Sequence, residues 1–203
     1  PVGVDPELFR PIDGVTRAPG RLVTTASADV AMKGLTYLLD AVAKLRTERH
    51  IELTIIGRPK EGASLDKLRA LGLEDCVEWV SGVPDERIVE LYSEAELAVV
   101  PSLYEGFSLP AIEAMCSGVP LVATTGGALP EVTGTHNETC FQVPPGDADA
   151  LARQIGEALD QPELRNRVGA AGRQRVIDNW SWRHTAIATV EQYELLLKEH
   201  GNR

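Results

Sequence analysis

Cysteine is scarce in this 203-residue chain. Cys76, Cys116 and Cys140 are odd in number and far apart. No C-x-x-C pair occurs, so neither a zinc site nor a disulfide framework is indicated. Each thiol lies in or beside an apolar run, where burial is the expected state, and this usage fits a cytosolic setting. An excess of positive charge is also lacking: 20 basic residues face 30 acidic ones, for a formal net charge of -10 at pH 7. So acidic a chain is a poor partner for nucleic acid or an anionic membrane surface. An anionic ligand would have to be held by local positive groups rather than by the global field. No apolar run is long enough to span a bilayer, and no signal peptide is visible. Repeats, low-complexity tracts, H-E-x-x-H and the Walker A pattern are absent. His50, His136, His184 and His200 stand isolated and read as structural or surface groups.

What is present suits one large domain or two small ones, with 43% hydrophobic residues available for a core. The opening PVGVDPELFRP reads as an extended or turn segment, which predicts a chain that begins inside a larger protein. Short apolar runs predict strands over Arg21–Ser27, Ile51–Gly57, Val77–Val80, Leu97–Pro101, Val119–Thr124 and Cys140–Val143. Helices are predicted over Gly34–Arg49, Leu65–Leu71 and Pro84–Glu94, then from Pro110 to a stop at Gly118. Three more follow over Asp147–Asp160, Pro162–Asn179 and Arg183–His200. Strand–helix alternation with continuously apolar strands predicts an α/β fold with a doubly wound, Rossmann-like parallel sheet. Ligands of such folds sit beyond the carboxyl ends of the strands, near a topological switch point.

Three loops follow predicted strands and should face one crevice. The first, ASADVAMKGL, places Lys33 and Gly34 at the mouth of a helix, where backbone N–H groups attract anions and a lysine adds a full charge. Taken alone, Lys33 reads first as a solvated lysine. The second, SLYEGFSLPAIEAMCSGVP, holds Glu105 and Glu113. Gly106 permits close backbone approach, and successive N–H groups at Gly106, Phe107, Ser108 and Leu109 can cradle a phosphate or a sugar hydroxyl. Pro110 suits a first helical turn. The helix after it is uncharged nearly all round, with Leu109, Ala111, Ile112, Ala114, Met115 and Cys116. Glu113 and Ser117, at i and i+4, are its only polar stripe. Glu113 has two readings: a carboxylate stabilised by the helix dipole by about 0.3–1 kcal/mol, or an acceptor for ribose hydroxyls. Glu105 is either a surface loop residue or part of a ligand cradle. The third loop, TTGGALPE, places Gly126 and Gly127 at another helix start. Trp180 and Trp182 read as packing anchors.

The spacing Glu105–x7–Glu113 inside PSLYEGFSLPAIEAMCSGVPLVAT resembles the E-x7-E signature of the retaining GT-B glycosyltransferases called GT4. The following G-V-P and the GG-x-x-E of Gly126–Glu131 agree with it. The resemblance extends to GVDPELFRP, MKGLTYLLDA, LTIIG, VEWVSGVPDERIVELY and NWSW, and so covers nearly the whole chain. It implies a single nucleotide-sugar (donor) domain over 1–203, with 1–20 as an entry linker and 181–203 as a terminal helix. The amino-terminal, acceptor-binding domain would be the missing partner. By the same resemblance Glu113 would bond the ribose and Glu105 the donor sugar. The amides of Gly106, Phe107, Ser108 and Leu109 would hold sugar and β-phosphate, and Lys33 would neutralise the diphosphate. Val83 would offer its backbone to the base, with Arg58 a neighbour of base or ribose. Lys33 and Glu105 would be the catalytic pair, and neither metal nor cofactor would be needed, lysine and helix dipole taking that part. Retention would come from the diphosphate activating the acceptor on the same face, unlike the two-carboxylate hydrolase scheme. The partner would be a UDP-, GDP- or ADP-linked sugar, with no nucleic acid and no transmembrane segment. The location would be cytoplasmic, with peripheral membrane association open for a full-length enzyme.

Two departures stand out. The family usually carries glycine and arginine where this chain has Ser27 and Ala28, so a second diphosphate cation is absent and Asp29 adds negative charge nearby. Ser108 stands where glycine is frequent. A degenerate, non-catalytic binding or interaction module is therefore the alternative, and another GT-B enzyme such as an epimerase or phosphorolytic enzyme is a third. Base, sugar and acceptor are not legible.

Overall fold

A computed structural model describes residues 2–26 and 30–200. Its sheet consists of β1 (Arg21–Thr25), β2 (Glu52–Ile56), β3 (Val77–Val80), β4 (Leu97–Val100), β5 (Leu121–Thr124) and β6 (Phe141–Val143). All pairs are parallel, in the order β3-β2-β1-β4-β5-β6. This is the doubly wound arrangement expected from the alternation. The order reverses between β1 and β4, so the crevice of interest opens where their following loops diverge.

The helices are α1 (Leu35–Leu45), α2 (Ala63–Ala70), α3 (Asp85–Glu94), α4 (Leu109–Cys116), α5 (Leu129–Thr133), α6 (Ala148–Asp160), α7 (Pro162–Trp180) and α8 (Trp182–His200). Each central strand buries both faces. On β1, Leu22 joins a core with α1, α2 and α6, while Val23 joins one with α3, α4, α5 and α7. On β4, Leu97 and Val99 face the first core, and Ala98 and Val100 the second. In α1 the 3.6-residue spacing buries Leu38, Leu39 and Val42 completely, and each such side chain contributes about 1.5–3 kcal/mol of transfer free energy. Asp147 caps α6 by accepting from the Ala150 N–H at 2.8 Å.

Several predicted boundaries shift for identifiable reasons. The helix predicted over Gly34–Arg49 starts at Leu35, because Gly34 takes φ 67° as its cap. It ends at Leu45, where the Thr47 hydroxyl donates to the Lys44 carbonyl at 2.8 Å and competes with the ladder. Pro101 and Pro120 have no N–H to pair, and β4 and β5 stop and start beside them. The helix start expected at Gly126 and Gly127 in the third loop is that of the short α5, which begins at Leu129. Cys116 and Cys140 are buried as expected, whereas Cys76 is half-exposed. Trp180 packs, whereas Trp182 is exposed. Among the described residues no helix is long and apolar enough to cross a membrane.

Candidate functional site

The three loops do meet. A single 3-10 turn (Ala31–Lys33) follows β1 and delivers Lys33 to the crevice. Its next residue, Gly34, passes so close to β4 that a Cβ there would lie 1.9 Å from the Pro101 carbonyl oxygen. The Leu103 N–H donates to the Met32 carbonyl at 2.8 Å, tying the first loop to the second. The third loop braces the second from the other side: the Ala128 N–H donates to the Glu105 carbonyl at 2.8 Å. Gly127, at φ 65°, lies where a Cβ would be 2.3 Å from that same oxygen. The glycines of the first and third loops are thus explained by backbone packing. Gly106 differs, since a Cβ there would meet nothing within 4 Å. The protein itself does not require glycine at 106, and the space above it is open.

Glu105 is buried rather than a surface loop residue. Its Oε1 accepts from Lys33 Nζ at 2.8 Å and from the Ser102 hydroxyl at 2.7 Å. Lys33 is therefore not a free surface lysine in this state. Ser102 is fully buried, and its own carbonyl accepts from the Thr124 hydroxyl at the end of β5. Sequence reasoning passed over Ser102 and Thr124. Their position at the carboxyl ends of β4 and β5 was the available signal.

Beyond Glu105 the chain turns into α4. Among the described residues no protein acceptor takes the N–H groups of Gly106, Phe107, Ser108 or Leu109. The Phe107 ring turns inward, edge-on to Trp180 with centroids 5.1 Å apart. Ser108, the helix cap, stands at φ 90°, ψ 84° and makes no capping bond. Left-handed backbone at a residue with a Cβ costs about 1–2 kcal/mol. The Ser108 Oγ is buried without a partner.

Glu113, on α4, is half-buried, and no donor among the described residues reaches its carboxylate. Burial, and next the charge of Asp85 at the start of α3, push its pKa up to about 6. Ser117 does not share a wet seam with it: that side chain is fully buried and donates to the Glu113 carbonyl at 2.9 Å. Leu109 departs from the expected buried face and is exposed. The fully buried Tyr92 hydroxyl lies 3.1 Å from the Thr25 hydroxyl. Burial, and then the Glu113 charge, raise its pKa. Tyr92 is a third residue that the sequence reading missed. Arg58 is exposed in the loop after β2 and Val83 half-buried before α3. Both lie at the same edge of the sheet, yet neither side chain bonds Lys33, Glu105 or Glu113. The expectations at Ser27, Ala28 and Asp29 lie outside the described residues.

At the switch point of the parallel sheet the chain thus brings together a lysine–glutamate pair and amides that no acceptor takes among the described residues. The comparisons then settle the family. The family described as "Glycosyl transferases group 1" matches residues 16–175, and the chain belongs to it. It is 47% identical over 195 residues to the MMP alpha-(1→4)-mannosyltransferase of Mycolicibacterium hassiacum, covering 96% of this chain and 47% of that protein. Among solved structures, sucrose-phosphate synthase from Thermosynechococcus elongatus superposes with a TM-score of 0.84 at 30% identity, over 98% of this chain and 52% of that one. The Anabaena protein HepE, crystallised with UDP, matches in fold with a TM-score of 0.79 at 21% identity, over 94% of this chain and 56% of that one. The chain spans about half the length of the relatives it matches.

Proposed function

We propose that this chain is the donor-binding half of a retaining, GT4-type glycosyltransferase. It would hold a nucleoside diphosphate sugar while a separate amino-terminal domain presents the acceptor. The observation that carries the reading is the Lys33–Glu105 pair beside the four unpartnered amides of residues 106–109, at the β1/β4 switch point. Charge and open N–H groups there match a diphosphate and the sugar attached to it. Glu113, with free acceptor oxygens one helical step away, suits the vicinal hydroxyls of a ribose. That HepE, a protein of this fold, was crystallised with UDP supports a nucleotide ligand.

In this reading the incoming diphosphate draws Lys33 from Glu105. The freed Glu105 carboxylate then accepts from sugar hydroxyls, kept in place by Ser102. Lys33 and the amides stabilise charge that grows as the bond between anomeric carbon and β-phosphate oxygen breaks. The acceptor oxygen bonds to that carbon on the same face, and its proton passes to the departing diphosphate, so configuration is retained. Val83 and Arg58 edge the pocket for the base. Catalysis needs both domains closed over both substrates, so the chain alone binds donor weakly and transfers nothing.

The test is a saturation-transfer NMR screen of UDP-, GDP- and ADP-sugars against the chain. Binding of one class at millimolar ligand, abolished by Lys33→Ala, is the expected result. No binding by any of them sinks the donor-site reading and favours the degenerate module.

A further inference from the structure

Ser108 is the point at which α4 is built against its own stability. A serine in this position ordinarily takes an extended backbone and accepts from the N–H of the second or third helical residue. Here φ 90° and ψ 84° turn the side chain away from that task, and no capping bond forms. Pro110 removes one further donor from the first turn. The remaining N–H groups therefore stay open. The Ser108 hydroxyl itself is buried, in a residue only 5% exposed, and it has no partner. Glycine would take the same backbone without strain and leave no orphan hydroxyl. Two unfavourable features thus coincide at one residue, which lies in sequence between the two glutamates and two positions after Gly106, where a Cβ would meet nothing within 4 Å. Strain that persists in this way points to a ligand that uses it.

We infer that Ser108 is a specificity-determining residue whose Oγ bonds a hydroxyl of the transferred sugar. The hydroxyl, unlike the amide of the same residue, is not a contact of the nucleoside or the diphosphate. The inference rests on the donor-site reading above. A serine hydroxyl both donates and accepts and moves among three staggered wells, so it follows a sugar hydroxyl once one is present. The diphosphate is served by Lys33 and the amides, which Ser108 substitutions leave in place.

The experiment compares the unsubstituted chain with Ser108→Gly and Ser108→Ala. Calorimetry measures binding of UDP, UDP-glucose, GDP and GDP-mannose, and thermal melting measures stability. The glycine variant should melt about 2–4 °C higher, as strain is released. Both variants keep the amide at position 108, so each should lose more affinity for the matching nucleotide sugar than for the bare diphosphate. Both should bind the matching nucleotide sugar about three- to tenfold more weakly, the range of one lost hydrogen bond. The alanine variant keeps the Cβ and so separates hydroxyl from backbone. Unchanged sugar-nucleotide affinity in both variants overturns the inference, as does an equal loss for diphosphate and sugar nucleotide. If the unsubstituted chain binds none of the four probes and neither ADP nor ADP-glucose, the donor-site reading itself fails, and this inference with it.

Discussion

β4 has a carboxylate near each end, half-buried Glu96 before it and buried Glu105 after it, and the two are treated differently. At its amino end Glu96 is closed off. Its Oε1 pairs with Arg165 at 2.7 Å and its Oε2 accepts from the Gly20 N–H at 2.6 Å. Arg165 also donates to the Ala158 and Leu159 carbonyls. Arg17 nearby spends both terminal nitrogens on the Ala95 and Gly118 carbonyls, at 2.8 Å each. Burial and then the charge of Arg165 lower the Arg17 pKa. At the carboxyl end, Glu105 satisfies one oxygen with Lys33 and Ser102, near amides and a glutamate, Glu113, that have no hydrogen-bond partner among the described residues. In the first network both carboxylate oxygens are taken, and Arg165 Nε is its one buried atom without a partner among the described residues; such an arrangement holds a fold. A network with open valences in the same sheet has room for a ligand, and it costs stability until one arrives.

The largest expected effect tests the closed end. Glu96→Ala leaves Arg165 buried and unpaired and should cost about 3–5 kcal/mol of unfolding free energy by urea denaturation. A loss below about 1 kcal/mol would erase the contrast between the two ends. Next comes Lys33→Ala, at the open end. It should weaken nucleoside diphosphate binding on the order of 10- to 100-fold, as expected for a lost charge-assisted bond. Its effect on stability should stay near 1 kcal/mol, because Ser102 still serves Glu105 and water reaches the site. A stability loss matching that of Glu96→Ala would make the Lys33–Glu105 pair structural as well.

Glu113→Gln should stabilise the chain at pH 7–8 by up to about 2 kcal/mol, from a pKa pushed up to about 6 against 4.5 for the unperturbed group. The sign follows from proton linkage. The folded state holds the Glu113 proton more tightly than the unfolded one, so that stability is present below about pH 4.5 and lost as pH rises through about 6. The gain of the glutamine variant should therefore vanish near pH 4 and level off above pH 7. A gain that does not change with pH would assign it to packing instead. The smallest effect is on ligand binding: nucleotide affinity should fall by up to about tenfold per pH unit as Glu113 protonates below about pH 6. It should not fall in that way for Glu113→Gln, followed by calorimetric titration from pH 5 to 8.

The strands and long helices were legible from periodicity, since β1, β3, β4 and α1 each carry a pattern that only one environment satisfies. Element ends were less so. The Thr47 hydroxyl that shortens α1 and the turn of backbone at Ser108 follow local geometry that residue type does not impose. In the site, Glu105 and Glu113 announced themselves as charges in an apolar stretch, and Lys33 as a cation before a helix. Their relation did not, because Lys33 and Glu105 are 72 residues apart. Ser102 and Tyr92 read as ordinary residues, and only burial beside a carboxylate gave them a part. Ser117 was misplaced because a four-residue spacing puts two side chains on one helix face without saying what covers it. α7 packs against α4, and the Ser117 hydroxyl is fully buried, bonded to the Glu113 carbonyl.

The amino-acid order alone determined a parallel α/β sheet and the residue types available to a ligand in the loop after β4, where the E-x7-E spacing resembles that of GT4 glycosyltransferases. It could do so because hydrophobic period and loop chemistry are local properties. Tertiary structure decided which charges meet. It paired Lys33 with Glu105, left the amides of residues 106–109 and the carboxylate of Glu113 without partners, and closed Glu96 at the far end of the same strand. Those outcomes depend on distances across the sheet and on the water that packing excludes. Neither is a property of any one stretch of chain.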